Sequence, residues 1–213
     1  MPISDERHTL SLVEVIFDTP WRAVDHVRRL AAWPFIRVMF ALHGVPWGRS
    51  WRIFGMPLIQ RHRRSTIQLG DDLELRSWRS SNPLAPYHPV VLATREADAL
   101  IKIGNGCGLT GTTVVAAERI EMGDRVLFGA NTVVTDTDFH PLDPQERLRD
   151  MLNGQHAPVM IEDDVFVGMN TIILKGVRIG LGSVIGAGSV VTTDIPPNVV
   201  AAGNPARVLR ELP

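Results

Sequence analysis

The chain has 213 residues, 45% of them hydrophobic and 21% charged, with a formal net charge of −1, a size and balance that suit one soluble domain with a sizeable core and room for an appendage. Near-neutral charge excludes a general nucleic-acid binder, and the single cysteine, Cys107, excludes an internal disulfide. The polar start MPISDERH lacks the apolar run of a secretory signal, so a cytoplasmic location is expected.

Residues 1–64 read as a distinct, partly helical extension. Between Trp21 and Arg64 nine arginines stand against one acid, Asp25, and four of the five tryptophans (Trp21, Trp33, Trp47, Trp51) lie there too. Val24, Val27 and Ala31 have helical spacing and predict one or two helices, broken at Pro34. The longest apolar stretch, Leu30 to Trp47, is interrupted by Pro34, Arg37, His43, Gly44 and Pro46, which makes it a poor membrane-spanning helix. Two roles fit the segment. It could cap the end of a repeat structure, whose open strand edges invite aggregation. It could also touch a membrane peripherally through residues 21–64, because tryptophan and arginine together suit a headgroup interface.

From residue 65 the pattern changes to a six-residue period. An early array runs Val91, Ala97, Ile103, Leu109, Val115, slips by one residue and resumes as Met122, Phe128, Val134, with weaker echoes at Ile67 and Leu73. A later array is strict: Ile161, Val167, Ile173, Ile179, Ile185, Val191, with a small or β-branched residue (Val165, Thr171, Val177, Ser183, Ser189) four places after each of the first five. A helix needs apolar spacings of three and four, and each of the many glycines here would cost it about 1 kcal/mol. Short strands joined by Gly, Asp or Asn corners every six residues stack instead into a parallel β-solenoid, three blocks to a triangular coil. Cys107 falls four places after Ile103, at the small inward position, and is expected to be a buried apolar filler.

The period stops after Val134 and restarts at Ile161, so residues 135–160 form an excursion loop that gathers Asp136, Asp138, His140, Asp143 and His156. Loops tethered to a rigid scaffold are where catalytic side chains tend to sit. Pro141 disfavours helical geometry at His140 and helps to fix its direction.

The stretch DTDFHP, the restart IEDDVFVG, the run ILKGVRIGLGSVIGAGSVVTTDIPPNVVAAGNPARVLRE and the block IGNGCGLTG together resemble the maltose, galactoside and surface-polysaccharide O-acetyltransferases of the hexapeptide-repeat family, over about residues 65–212. The resemblance implies a mainly β fold, a left-handed parallel β-helix over 65–200 with a tail at 201–213. It also implies a homotrimer, and acetyl-CoA as acyl donor between neighbouring subunits. It makes His140 the general base that takes the proton of a sugar hydroxyl during direct transfer. Asp138 or Asp136 could orient the imidazole, and a backbone carbonyl would serve equally. Positions matching the cofactor site are Phe166, Gly168, Met169, Ala187, Gly188, Thr192 and Thr193, with Arg207 and Arg210 as phosphate contacts. Thr193 stands where many relatives have lysine. Thr110, Gly111, Asn131, Phe139 and Arg147 match the region of the acceptor pocket, and no metal is expected. Three rival readings are a zinc-dependent γ-type carbonic anhydrase, for which only His88, His140 and His156 are at hand, a non-catalytic scaffold, and transfer to an amino group.

Overall fold

The computed structural model describes residues 17–213. Residues 1–16, part of the expected N-terminal extension, lie outside the described residues. Three parallel sheets form the faces of a triangular prism. The first face stacks β1 (Arg52–Phe54), β4 (Glu74–Arg76), β7 (Gly108–Thr110), β10 (Leu127–Phe128), β13 (Phe166–Val167), β16 (Val184–Ile185) and β18 (Val199–Gly203), and ends with β19 (Ala206–Glu211). The second stacks β2 (Leu58–Arg61), β5 (Val91–Thr94), β8 (Thr113–Ala116), β11 (Val133–Thr135), β14 (Ile172–Ile173) and β17 (Val190–Val191). The third stacks β3 (Thr66–Leu69), β6 (Leu100–Ile103), β9 (Arg119–Met122), β12 (Val159–Ile161) and β15 (Arg178–Ile179). Each turn of the chain therefore adds one strand to each face, and β19 alone runs antiparallel, on β18.

The late period maps onto the inside of the prism: Ile161, Val167, Ile173, Ile179, Ile185 and Val191 are at most 1% exposed. The small positions Val165, Thr171, Val177, Ser183 and Ser189 are buried beside them. The early array differs. Leu92 and Val114 point inward, while their predicted neighbours Val91 and Val115 are half-buried on the outside, and Ala99 rather than Ala97 reaches the core. Four-residue strands on the second face move the inward residue by one, and in a strand a shift of one exchanges the faces.

The strands also begin earlier than residue 65. Ile53 and Ile59 are buried in β1 and β2, which pair with β4 and β5, so the first coil starts at Arg52 inside the segment expected to be a separate extension. At the other end, residues 201–213 are less a tail than a closing hairpin of the first face.

Helix α1 (Pro20–Leu42) runs through Pro34 without a break, correcting the expected interruption. Proline removes one helical N–H bond, and Ile36 and Phe40, fully buried just beyond it, hold the following turns against the first coil. Phe40, Trp47 and Trp51 form an aromatic cluster with centroid separations of 4.8–5.6 Å, and Trp51 Nε1 donates to Gly70 O at 2.7 Å. This packing is what a cap on the first coil requires. Among the described residues no helix is long and apolar enough to cross a membrane.

Cys107 is 1% exposed, and burial pushes its thiol up to about 11. A buried, protonated thiol is inert. The native protein at pH 8 is expected to react with Ellman's reagent many-fold more slowly than the same protein in guanidinium, as followed at 412 nm. Equal rates would place Cys107 at the surface.

Candidate active site

The excursion loop leaves the prism at the corner between the second and third faces, after β11, and returns at β12. Its root is pinned by Asp136, which is fully buried and accepts hydrogen bonds from the backbone N–H groups of Ala117, Glu118 and Arg119 at 2.6–2.8 Å. Burial raises its carboxyl above the ordinary aspartate range, against the pull of those three donors and of His156. Ala117 and Glu118 lie on the corner one coil below, so Asp136 ties the loop's departure to the solenoid. Thr137 and His156 close the stem with an antiparallel bridge, and Asp138 N donates to Gln155 O at 2.9 Å.

His140 is exposed beyond this stem. Its Nδ1 lies 2.6 Å from the carbonyl oxygen of Met151 across the loop. A carbonyl can only accept, so Nδ1 carries a hydrogen, and in the neutral imidazole the lone pair lies on Nε2. The orienting group is therefore a backbone carbonyl. Asp136 is spent on backbone N–H groups, and Asp138 forms an ion pair with Lys175 Nζ at 3.1 Å. Neither aspartate is hydrogen-bonded to the imidazole, and of the partners the sequence left open the backbone carbonyl is the one found at hydrogen-bond distance. Helix α2 (Pro144–Arg149) stiffens the loop tip: Asp143 caps it by accepting from Gln145 N and Glu146 N, with Pro144 at its first position.

A cavity of about 570 Å³ opens beneath the loop, lined among others by Arg95, Asp98, Glu118, Asp150, Asn153 and His156. His156 Nδ1 lies 2.7 Å from Glu118 Oε2, tying the returning limb of the loop to the cavity floor. Phe139, at φ +64°, places its ring 5.2 Å from the Arg95 guanidinium. Arg147 turns back on the loop, donating to the carbonyls of Pro141 and Leu142, so its head is engaged within the loop. The sequence offered no sign of Arg95 or Glu118, because both sit in ordinary corners. Nor did it mark Met151, whose contribution is a carbonyl that every residue possesses.

Most of the other matched positions gather on a different edge, the corner between the first and second faces, whereas Thr192 and Thr193 follow β17 at the corner between the second and third. Asn131 N donates to Thr110 O, Asn170 N to Ala130 O and Gly188 N to Met169 O, each linking one coil to the next. Gly168 sits against Ala187, with space for no side chain: a Cβ there would lie 2.5 Å from the Ala187 nitrogen. Gly188 is the opposite case, at φ +70° with nothing within 4 Å of where a Cβ would be, so the edge is open beside it. Phe166 is exposed on the first face next to this edge. Thr192 and Thr193 are exposed after β17. Arg207 and Arg210 lie on β19, bonded only to strand carbonyls and paired with no carboxylate among the described residues. Thr110 and Asn131 are buried, and Asn131 Oδ1 accepts from Tyr87 N at 3.1 Å. Gly111 packs under Pro86 and His88. These three therefore build the corner beneath the 77–90 loop and stand apart from His140 of the same chain. His88 Nδ1 is 2.8 Å from Pro89 O. His88, His140 and His156 thus have three separate partners, and no group of three or more His, Cys, Asp or Glu among the described residues is arranged to hold a metal ion.

Residues 158–193 match the family model described as the hexapeptide repeat of succinyl-transferase, and this is the stretch whose inward positions recur at strict sixes. Residues 158–193 are thus hexapeptide repeats within a β-helix. The galactoside O-acetyltransferase of Lactococcus lactis subsp. lactis is 47% identical over 100 residues, 47% of each chain. A hexapeptide-repeat-containing acetyltransferase from Vibrio cholerae superposes with a TM-score of 0.56 at 25% identity, over 87% of this chain and 81% of that one. A galactoside acetyltransferase in complex with coenzyme A gives a TM-score of 0.51 at 30% identity, over 79% and 64%. The chain spans about half the length of the relatives it matches in sequence. The fold is accordingly the left-handed parallel β-helix that the resemblance implied.

Proposed function

We propose that the protein is an acetyl-CoA-dependent O-acetyltransferase that acetylates a sugar hydroxyl, in surface polysaccharide or sugar modification. The observation that carries this reading is the exposed His140, held by the Met151 carbonyl so that Nε2 is free to accept a proton. An alcohol is a poor nucleophile at neutral pH, and a base at hydrogen-bond distance removes its proton as the oxygen attacks. When bound, acetyl-CoA supplies the acetyl carbonyl as a thioester. The acceptor oxygen then forms the new C–O bond, the C–S bond breaks, and the proton held on Nε2 goes to the departing sulfur.

The edge residues suit the donor. The open space at Gly188 and the close stacking of Gly168 on Ala187 let an extended arm lie against backbone, with Phe166 and Met169 alongside. Arg207 and Arg210, free of carboxylates, suit phosphates. This edge and His140 belong to different corners of one prism, and a homotrimer joins them by bringing one subunit's loop to its neighbour's edge. The second face between the corners is suited to such packing. Its outward ladder is Leu58, Val91, Thr113, Val133, Ile172 and Val190, with no charge, whereas the third face carries Lys102, Arg119, Glu121 and Arg178. Buried apolar area of this kind favours association. The cavity under the loop, whose lining includes Thr137, three residues before His140, is the acceptor site of this reading. Its lining holds Glu96, Asp98, Glu118 and Asp150 against Arg95, which favours a neutral polyhydroxylated acceptor over a phosphorylated one. The enzyme is placed in the cytoplasm, in peripheral contact with the membrane's inner face.

The test is purified protein with radiolabelled acetyl-CoA and a panel of neutral, amino and lipid-linked sugars. Label is expected on a neutral sugar in an alkali-labile ester. Alkali-stable label on an amino sugar would establish N-transfer instead, and the absence of both acetyl-CoA binding and transfer would leave a scaffold.

A further inference from the structure

Only the inward side of helix α1 is engaged with the body. Of its 23 residues just Asp25, Ile36 and Phe40 are buried. Asp25, the helix's single acid, accepts from Ser80 Oγ at 2.9 Å, and Arg29 lies half-buried with its guanidinium 5.7 Å from the Phe54 ring centre. The opposite side is apolar along its whole length. Val24, Val27, Leu30, Phe35, Val38 and Leu42 are 48–81% exposed, and the positions between them on the same side are Ala31, Pro34 and Ala41. At about 100° per residue these positions span an arc of roughly 140°, running about 27 Å along the axis from Val24 to Leu42. No charged residue falls within that arc. Arg28 borders it on one side, and His26 and Arg37 on the other.

We infer that α1 is a membrane-surface anchor whose apolar side enters the acyl boundary of an anionic lipid bilayer, with the bordering Arg28 and Arg37 at the phosphates. The charge pattern selects this occupant. Every charge the helix exposes is positive, since its one carboxylate is turned inward to Ser80, and such a border is complementary to anionic headgroups. A second copy fits poorly, because like helices packed through this side bring arginine rims together without a carboxylate to pair them, and the arc is wider than a two-position coiled-coil seam. A helix lying in the interface also needs no membrane-crossing length, in agreement with the absence of a spanning helix among the described residues. The inference rests on the helix alone and stands or falls separately from acetyl transfer.

The experiment is sedimentation of the full chain with sucrose-loaded vesicles of phosphatidylglycerol and phosphatidylcholine, compared with vesicles of phosphatidylcholine alone. Deleting residues 1–60 is unsuitable, because it removes β1 and most of β2. The variant is Val27→Glu with Phe35→Glu, both on the exposed side, and a second variant is Arg28→Gln with Arg37→Gln. Folding is checked by circular dichroism, and activity on a soluble sugar reports the catalytic reading independently. The wild type is expected to sediment with the anionic vesicles, the glutamate variant to lose at least about tenfold in partition coefficient, and the glutamine variant to lose the preference for anionic lipid. No sedimentation of the wild type overturns the inference, whether residues 1–16 or another protein cover the helix. So does sedimentation unchanged by the glutamates, or a glutamate variant whose one defect is a smaller oligomer.

Discussion

In the His140→Ala variant, acetyl transfer to the acceptor found in the panel is expected to fall about 10²–10⁴-fold in kcat, with the KM for acetyl-CoA nearly unchanged. The range follows from what a positioned base supplies, since each tenfold loss corresponds to about 1.4 kcal/mol of transition-state stabilisation. Structure should survive the change. His140 is exposed, and its single hydrogen bond, to Met151 O, contributes on the order of 1 kcal/mol. The companion variant is Asp138→Asn. Asp138 pairs with Lys175 and is not bonded to the imidazole, so its loss is expected to be at least tenfold smaller than that of His140→Ala. Equal losses in the two variants, measured by initial rates at saturating donor, would restore the aspartate as the group that orients the base. Activity within threefold of wild type in His140→Ala would remove the general-base role.

The contrast between His140 and its neighbours shows what a sequence can reveal about such a site. A histidine on an interruption between two regular arrays stands out, and so do residues 161–191, where every block presents the same two inward positions. The early coils are harder to read because they vary in length. Ile53 and Ile59 are six apart, but Ile67 follows after eight, so the first coil hides inside an arginine-rich segment whose composition suggests something else. At Val91 and Val115 the period is right and the face wrong, because a strand longer by one residue exchanges inside for outside. The imidazole's partner was illegible for a different reason. Aspartates near a histidine invite pairing, yet Asp136 has three backbone donors one coil below, a contact that sequence distance conceals. Pro34 misleads similarly: its local effect is to interrupt, and burial of Ile36 and Phe40 overrides it.

Replacing Ile179 by aspartate is expected to cost more than about 5 kcal/mol and to unfold the C-terminal coils, whereas Arg178→Ala, one position earlier, costs at most about 1 kcal/mol. Ile179 is fully buried, pairs with Ile161 on one side and bridges to Ile195 on the other. A carboxylate there must either lose its hydration or drag the coil open. Removing the apolar side chain alone, as in Ile179→Ala, accounts for about 2–5 kcal/mol of the loss. Arg178 points outward on the same strand and pairs with Glu162 at the surface, where an exposed ion pair contributes little. In a solenoid each coil contacts only its neighbours, so the damage is directional. Everything after residue 179 loses its template on one side, while the coils before 161 keep theirs. Limited trypsin digestion of Ile179→Asp should therefore release the C-terminal residues early and leave a resistant core, and thermal melting of Arg178→Ala should stay within about 4 °C of wild type. If both variants melt alike and resist digestion alike, residues 178 and 179 do not alternate between outside and inside, and the six-residue blocks are not the rungs described.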